Sequence, residues 1–376
     1  MVLSSWKRRG RRTLVAAALT TTVITGTAGW ASAHEQRPLT GPPPGTASWR
    51  ADHALHLTLP DPATARPAQV ASFFRGLSSA EQQELAVRHP TVVGNLDGVP
   101  ISLRYEANAR ALRAEHTRAL GVAEDPSRTE QERSSARARA ERCGELLAPE
   151  RRILAFDPRG RGQVAEVYGD LGAARHVSVI VPGSDIDLDS FDRARDPYGT
   201  PTGMARALYR ATDAQTAVVA WVGYTTPVGL GPDAATGRLA EAGAPRLARF
   251  VQGLTAVGAP RPAVFCHSYG SVVCGLAASR LPASDVVVFA SPGMRADSVA
   301  DLHTRARVWA ARDDSDWIAK VPNVELFGLG HGADPTSSSF GARHIPAEKA
   351  EGHTGYFEPG TDSLRAFTDI ALGGAS

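Results

Sequence analysis

The sequence predicts an α/β protein: a mostly parallel sheet with an antiparallel entry hairpin and helices on both faces, preceded by a helical N-terminal region. Three observations carry that reading. From 176 onward, strand-like apolar runs alternate with helix-like ones, the pattern of right-handed crossovers in a parallel sheet. Just before, Ile153-Leu154-Ala155-Phe156 and Gln163-Val164-Ala165-Glu166-Val167-Tyr168 flank a turn-rich Asp157-Pro158-Arg159-Gly160-Arg161-Gly162, which reads as the hairpin. Finally, the apolar run 262–265 leads through Cys266-His267-Ser268-Tyr269-Gly270 into a small-residue helical stretch at 271–278. A strand, a sharp turn with serine at its apex, then a helix is the setting of a nucleophile elbow.

Taken in order, residues 1–33 read as a secretory signal peptide. Lys7, Arg8, Arg9, Arg11 and Arg12 precede an uncharged stretch that closes on Ala31-Ser32-Ala33, so cleavage is expected after Ala33. An uncleaved anchor is the alternative. Arg11-Arg12-Thr13-Leu14-Val15 raises a twin-arginine route beside ordinary Sec export. Either route predicts a secreted protein with no stable membrane span after cleavage. The leader holds five basic residues and no acidic one, so its removal takes the formal net charge from +2 to −3. With no basic tract outside it beyond one helical charge run, nucleic-acid binding finds no support.

Residues 34–65, opening on a stretch rich in Pro, Gly and Thr, are expected to be a flexible mature N-terminus. Residues 66–148 read as helical. Ser78-Ser79-Ala80-Glu81 is a capping box for a helix ending before Pro90, and 92–100 reads as a turn-rich connector. Helices are expected at 103–120 and 129–147, the latter with a solvated Glu/Arg face. The domain from 149 to 376 then holds the hairpin and strands at His176–Val181, 217–222, 263–266, Asp285–Phe289, 306–310 and 324–327. Helices are expected at 202–210, 243–257 and 362–372.

The chemistry centres on Ser268. A serine hydroxyl needs a base within hydrogen-bond reach and an acid to orient that base, and on an α/β-hydrolase sheet the chain order is Ser, acid, His. The acid should follow the strand at 306–310, where Asp313, Asp314 and Asp316 cluster. Asp316 is favoured because Asp316-Trp317-Ile318 is similar to the Asp-x-Ile of many α/β-hydrolases. The base should precede the closing helix: His353 is favoured and His331 is its rival. Tyr269 and Ser184 are expected to give the backbone N–H groups of an oxyanion hole, with Gly183 letting that backbone bend and Gly183 or Asp185 as alternative donors. His267 is read as packing beside the elbow, Ser291 as a turn. The acidic run Asp185, Asp187, Asp189, Asp192 lacks an EF-hand's glycine and closing glutamate and reads as a polar turn; no metal or organic cofactor is called for. Export permits a Cys266–Cys274 disulfide, against two buried free thiols.

The runs Cys266–Ser271, Gly330-His331-Gly332-Ala333-Asp334-Pro335 and Gly352-His353-Thr354-Gly355-Tyr356-Phe357 together resemble a secreted bacterial branch of the α/β-hydrolase superfamily, catalogued as domain of unknown function 1023. Asn95-Leu96-Asp97-Gly98-Val99-Pro100, with Arg104 and Asn108, is similar to that family's helical lead-in. The likeness covers roughly 90–372. It implies a serine hydrolase with Ser268 as nucleophile and His353 as base, and it brings no substrate. Cys266 departs from the superfamily's usual glycine. The expectation is therefore an exported serine hydrolase cleaving a small-molecule or lipid-like ester. A peptidase on the same fold, or a catalytically silent binding protein, is the alternative.

Overall fold

The computed structural model describes residues 35–326 and 328–374; the expected leader lies outside them. Eight strands form the main sheet: β1 (Ile153–Asp157), β2 (Gln163–Tyr168), β3 (His176–Val181), β4 (Thr216–Val222), β5 (Ala263–His267), β6 (Asp285–Phe289), β7 (Arg307–Ala311) and, after a small separate hairpin, a two-residue strand at Arg343–His344. They run in the order β1, β2, β4, β3, β5, β6, β7 and Arg343–His344. β1 pairs antiparallel with β2 and β2 antiparallel with β4; all other neighbours are parallel. Strands β4, β5 and β6 are buried at every residue. Their continuous Val, Ala and Phe runs suit a sheet covered on both faces.

One core layer packs the sheet against the helices Arg238–Ala256 and Gly270–Ala277, with Leu247, Val251, Val264 and Val273 at its centre. The other packs it against Pro201–Ala211 and Asp362–Ala371, around Phe265, Phe289, Phe357 and Phe367. In this way Ser268, at the end of the central β5, sits between two filled layers.

The N-terminal region is helical as expected: Pro67–Arg75, Ser79–Arg88, Pro90–Asn95, Ile101–Glu124 and Glu130–Leu146. The Ser78–Glu81 capping box is present, and Thr129 with Glu132 makes a second. This region meets the sheet along the free edge of β1. The Asn95 amide accepts from Phe156 N at 3.1 Å and donates to Phe156 O at 2.7 Å. Buried Arg104 donates to Leu154 O at 3.1 Å and buried Asn108 to Ile153 O at 3.3 Å.

Three expectations need correction. The segment expected to be a flexible start is packed down: a short helix, Thr46–Arg50, inserts Trp49, fully buried, among Val70, Phe74 and Leu85, and its indole donates to Pro60 O at 2.8 Å. The connector at 92–100 begins as helix, because Pro90 stands at the first turn of Pro90–Asn95, where its missing N–H costs nothing. The strand expected at 324–327 is not in the sheet. Glu325–Leu326 pairs antiparallel with Leu329–Gly330 in a surface hairpin, with Val324 and Leu326 exposed. The edge of β7 is taken by Arg343–His344.

Candidate active site

Ser268 stands at the apex of the turn between β5 and the helix Gly270–Ala277, with φ 52°. That left-handed backbone is strained for a non-glycine residue. It is held by hydrogen bonds from Ser268 N to Phe289 O, at 3.0 Å, and from Ser271 N to Ser268 O, at 2.9 Å. Strand and helix approach closely here. A Cβ at Gly270 would lie 2.7 Å from the carbonyl oxygens of Val181 and Pro182, so the second small residue of the motif is required by packing. At the other motif position, Cys266 and Cys274 are joined by a disulfide across the same strand–helix gap. The third cysteine, Cys143, is free and buried elsewhere.

His353 and Asp316 come to Ser268 from two different loops. His353 Nε2 lies 2.9 Å from Ser268 Oγ, and His353 Nδ1 lies 2.8 Å from Asp316 Oδ1. Asp316 is 1% exposed. Burial alone would raise its pKa. His353, the Ile318 N–H and the Tyr356 hydroxyl outweigh that and hold the carboxyl below its ordinary value. The Ile318 N–H donates to Oδ1 at 2.9 Å and Tyr356 donates to Oδ2 at 2.8 Å. An imidazole thus faces an ionised, fully hydrogen-bonded carboxylate on one side and a serine hydroxyl on the other. Such an arrangement can move a proton off the hydroxyl as the oxygen attacks an electrophile.

The other candidates stand apart from this chain of bonds. Asp313 accepts from the Ser315 N–H and hydroxyl, and Asp314 is exposed. His331 donates from Nε2 to Ala234 O at 2.7 Å and meets the Tyr269 ring edge-on at 5.5 Å; burial pushes its pKa down to about 4. His267 packs beside the elbow as expected, between the rings of Phe289 and His353. It does more, since its Nε2 lies 2.9 Å from His353 O and ties down the loop that carries His353. Burial pushes His267 down to about 3, so it is neutral and donates this bond.

Around the hydroxyl, the N–H groups of Tyr269 and Ser184 have no acceptor among the described residues, whereas Asp185 N is spent on Pro227 O at 2.8 Å. Gly183 serves a different purpose from bending. Its φ lies outside the left-handed region, but a Cβ there would fall 2.6 Å from Ser268 Cβ and 3.1 Å from Oγ. Only glycine lets the loop after β3 lie against the serine. In the acidic run, Asp192 pairs with Arg142 and Arg151, and Asp187 with Arg161.

Two residues of the site escaped sequence reasoning. Tyr356 reaches Asp316 from the 3₁₀ turn Gly355–Phe357; its place three residues after His353 was the available signal. Trp317 lies against His353, ring centroids 4.6 Å apart, and remains 38% exposed, forming the outer wall of the site.

Residues 157–326 match a family model described as Alpha/beta hydrolase. Over 380 residues the chain is 29% identical to the uncharacterized protein MT2140 of Mycobacterium tuberculosis (strain CDC 1551 / Oshkosh), covering 84% of this chain and 57% of that one. It therefore spans little more than half the length of the curated relative. Among solved structures it is similar to a CIB-like hydrolase from Thermoplasma acidophilum, at 15% identity over 60% of this chain and 96% of that one, TM-score 0.35. It is also similar to XC6422 from Xanthomonas campestris, an a/b serine hydrolase without lid, at 16% identity over 60% of this chain and 94% of that one, TM-score 0.34.

Proposed function

We propose that this chain, a hydrolase of the α/β-hydrolase fold, is an exported serine hydrolase that cleaves a small-molecule or lipid-like ester through an acyl-enzyme. The observation that carries the reading is the bonded series Ser268 Oγ, His353 Nε2, His353 Nδ1, Asp316 Oδ1. In this mechanism Ser268 Oγ attacks the ester carbonyl while His353 takes its proton. The oxyanion is received by the N–H groups of Tyr269 and Ser184. His353 then gives the proton to the leaving alcohol. Water, deprotonated by His353, attacks the acyl-serine and releases the acid, returning Ser268 to its starting state. Asp316 keeps Nδ1 protonated and stabilises the imidazolium.

Export is part of the same reading. The basic, then apolar leader supports it, as does a disulfide, since such bridges persist outside the reducing cytosol. No helix among the described residues is long and apolar enough to cross a membrane. The narrower kinship with the family catalogued as domain of unknown function 1023 rests on the motifs quoted above.

The test is labelling with a fluorophosphonate probe. Wild type is expected to label and Ser268→Ala is not. Label that persists in Ser268→Ala, or folded wild type that does not label, refutes the assignment; the second result supports a silent binding protein. A panel of p-nitrophenyl esters and peptide anilides then reads the leaving group. Turnover of the esters alone is expected, and anilide cleavage at comparable kcat/KM would replace esterase by peptidase.

A further inference from the structure

A cleft of about 370 Å³ is lined by none of Ser268, His353 and Asp316. It lies where the helix Arg238–Ala256 passes the first residues of β2 and the last of β4, and residues 40–43 of the N-terminal segment form part of its wall. That volume falls within the range of small-molecule sites.

Its charges do not balance. Four guanidinium groups line it against two carboxylates. Asp97 is taken up by Arg104 at 3.3 Å and Arg249 at 3.8 Å, and Asp157 by Arg159 at 2.6 Å. Arg246 has no carboxylate within ion-pair distance among the described residues. Its Nε donates to Gly223 O at 2.7 Å and its Nη2 to Gln163 Oε1. Burial lowers the Arg246 pKa, against the smaller effect of Asp157 and Asp97. A partly desolvated cation held by neutral acceptors is short of a counter-charge. Gln163 points the same way: it is 5% exposed, and its Nε2 is buried with no acceptor among the described residues. Surplus guanidinium and an idle amide donor side by side match a ligand oxyanion. Trp221 and Phe250, ring centroids 6.0 Å apart, are the large apolar side chains in the same lining.

We propose that this cleft is a binding site for a small organic anion, a carboxylate or phosphate carried on a compact apolar body. Arg246 and Gln163 receive the charged end, and Trp221 and Phe250 the apolar end. The site is separate from Ser268 and independent of the reaction assigned there.

Isothermal titration of the full chain with benzoate and with phenylphosphonate tests this, the two arms separating carboxylate from phosphorus oxyanion. Saturable 1:1 binding of at least one probe is expected. Arg246→Gln should weaken it at least tenfold, with thermal unfolding confirming the fold. Ala242→Phe, which keeps every charge and fills the cleft from the helix, should weaken it likewise, so the result does not depend on one variant folding. Ser268→Ala should bind as wild type does. The proposal is overturned if neither probe binds, if the folded cleft variants bind like wild type, or if Ser268→Ala abolishes binding.

Discussion

Gly183→Ala is the substitution that tests most directly how the loop after β3 serves the serine. The added methyl would stand 2.6 Å from Ser268 Cβ and 3.1 Å from Oγ. Ordinary contact begins at 3.4 Å, so loop and serine must separate by most of an ångström. The elbow resists such movement, because Ser268 is anchored by backbone bonds on both sides and by a disulfide joining the strand and helix that flank it. Overpacking of this kind costs about 1–3 kcal/mol of stability. The larger effect falls on rate, since a displacement of about 1 Å at a reacting group costs on the order of 10²-fold. The assay is the second-order rate of fluorophosphonate labelling, read beside a denaturant midpoint. Gly121→Ala is the control: it is a helical glycine with nothing within 4 Å of the added Cβ, and it should gain about 1 kcal/mol with labelling unchanged. If Gly183→Ala labels within about threefold of wild type, the loop does not set the position of the serine and the packing argument fails.

Removing the bridge with Cys266→Ala and Cys274→Ala together opens a cross-link of sequence separation 8. Chain entropy puts the loss near 2.5 kcal/mol in a denaturant titration, and a loss under about 1 kcal/mol would contradict a closed bridge in the native protein. Tyr356→Phe strips a donor from Asp316 and an acceptor from Asp313 N. It should cost about 1–3 kcal/mol and lower kcat with KM unchanged; unaltered kcat would show that Asp316 does not need this bond. For His267 the folded pKa of about 3 lies below the ordinary value of 6.5, so below pH 6.5 the unfolded chain binds a proton that the native protein does not. The stability tied to neutral His267 is complete above pH 6.5 and is lost as pH falls toward 3, reaching about 2 kcal/mol at pH 5. His267→Asn, which does not titrate, should lose correspondingly less between pH 7.5 and pH 5; equal losses would mean that His267 is protonated in the fold.

The strands that position the candidate site were readable because they are buried on both faces: the runs at β3, β4, β5 and β6 have no polar alternation to blur them. That Ser268, Asp316 and His353 meet in one bonded series could be anticipated because their chain order follows from the topology. What failed was governed by a local glycine turn and by packing between elements. Val324 and Leu326 look like strand residues, yet the left-handed glycines Gly328 and Gly330 fold the segment back on itself. Arg343–His344 is too short and too polar to signal a strand, and exists only because β7 offers an edge. The Pro/Gly-rich start hides one anchor, Trp49, whose burial depends on packing against the helices that follow it. Tyr356 looked like an aromatic near a histidine; only the fold shows its hydroxyl reaching back to Asp316.

The bonds from Asn95, Arg104 and Asn108 to β1 carry a consequence for the whole molecule. Asn95 offers Phe156 both a donor and an acceptor, which is what the backbone of a neighbouring strand would offer. Arg104 and Asn108 continue the imitation at Leu154 and Ile153. Three side chains thus complete the sheet on a side where a ninth strand could otherwise add. An uncovered edge is a template for pairing with another chain. The helical region is therefore the stopper that keeps the sheet finite. Shed like a pro-segment or swung aside like a lid, it would leave β1 open to the first extended peptide it met, including β1 of a second molecule.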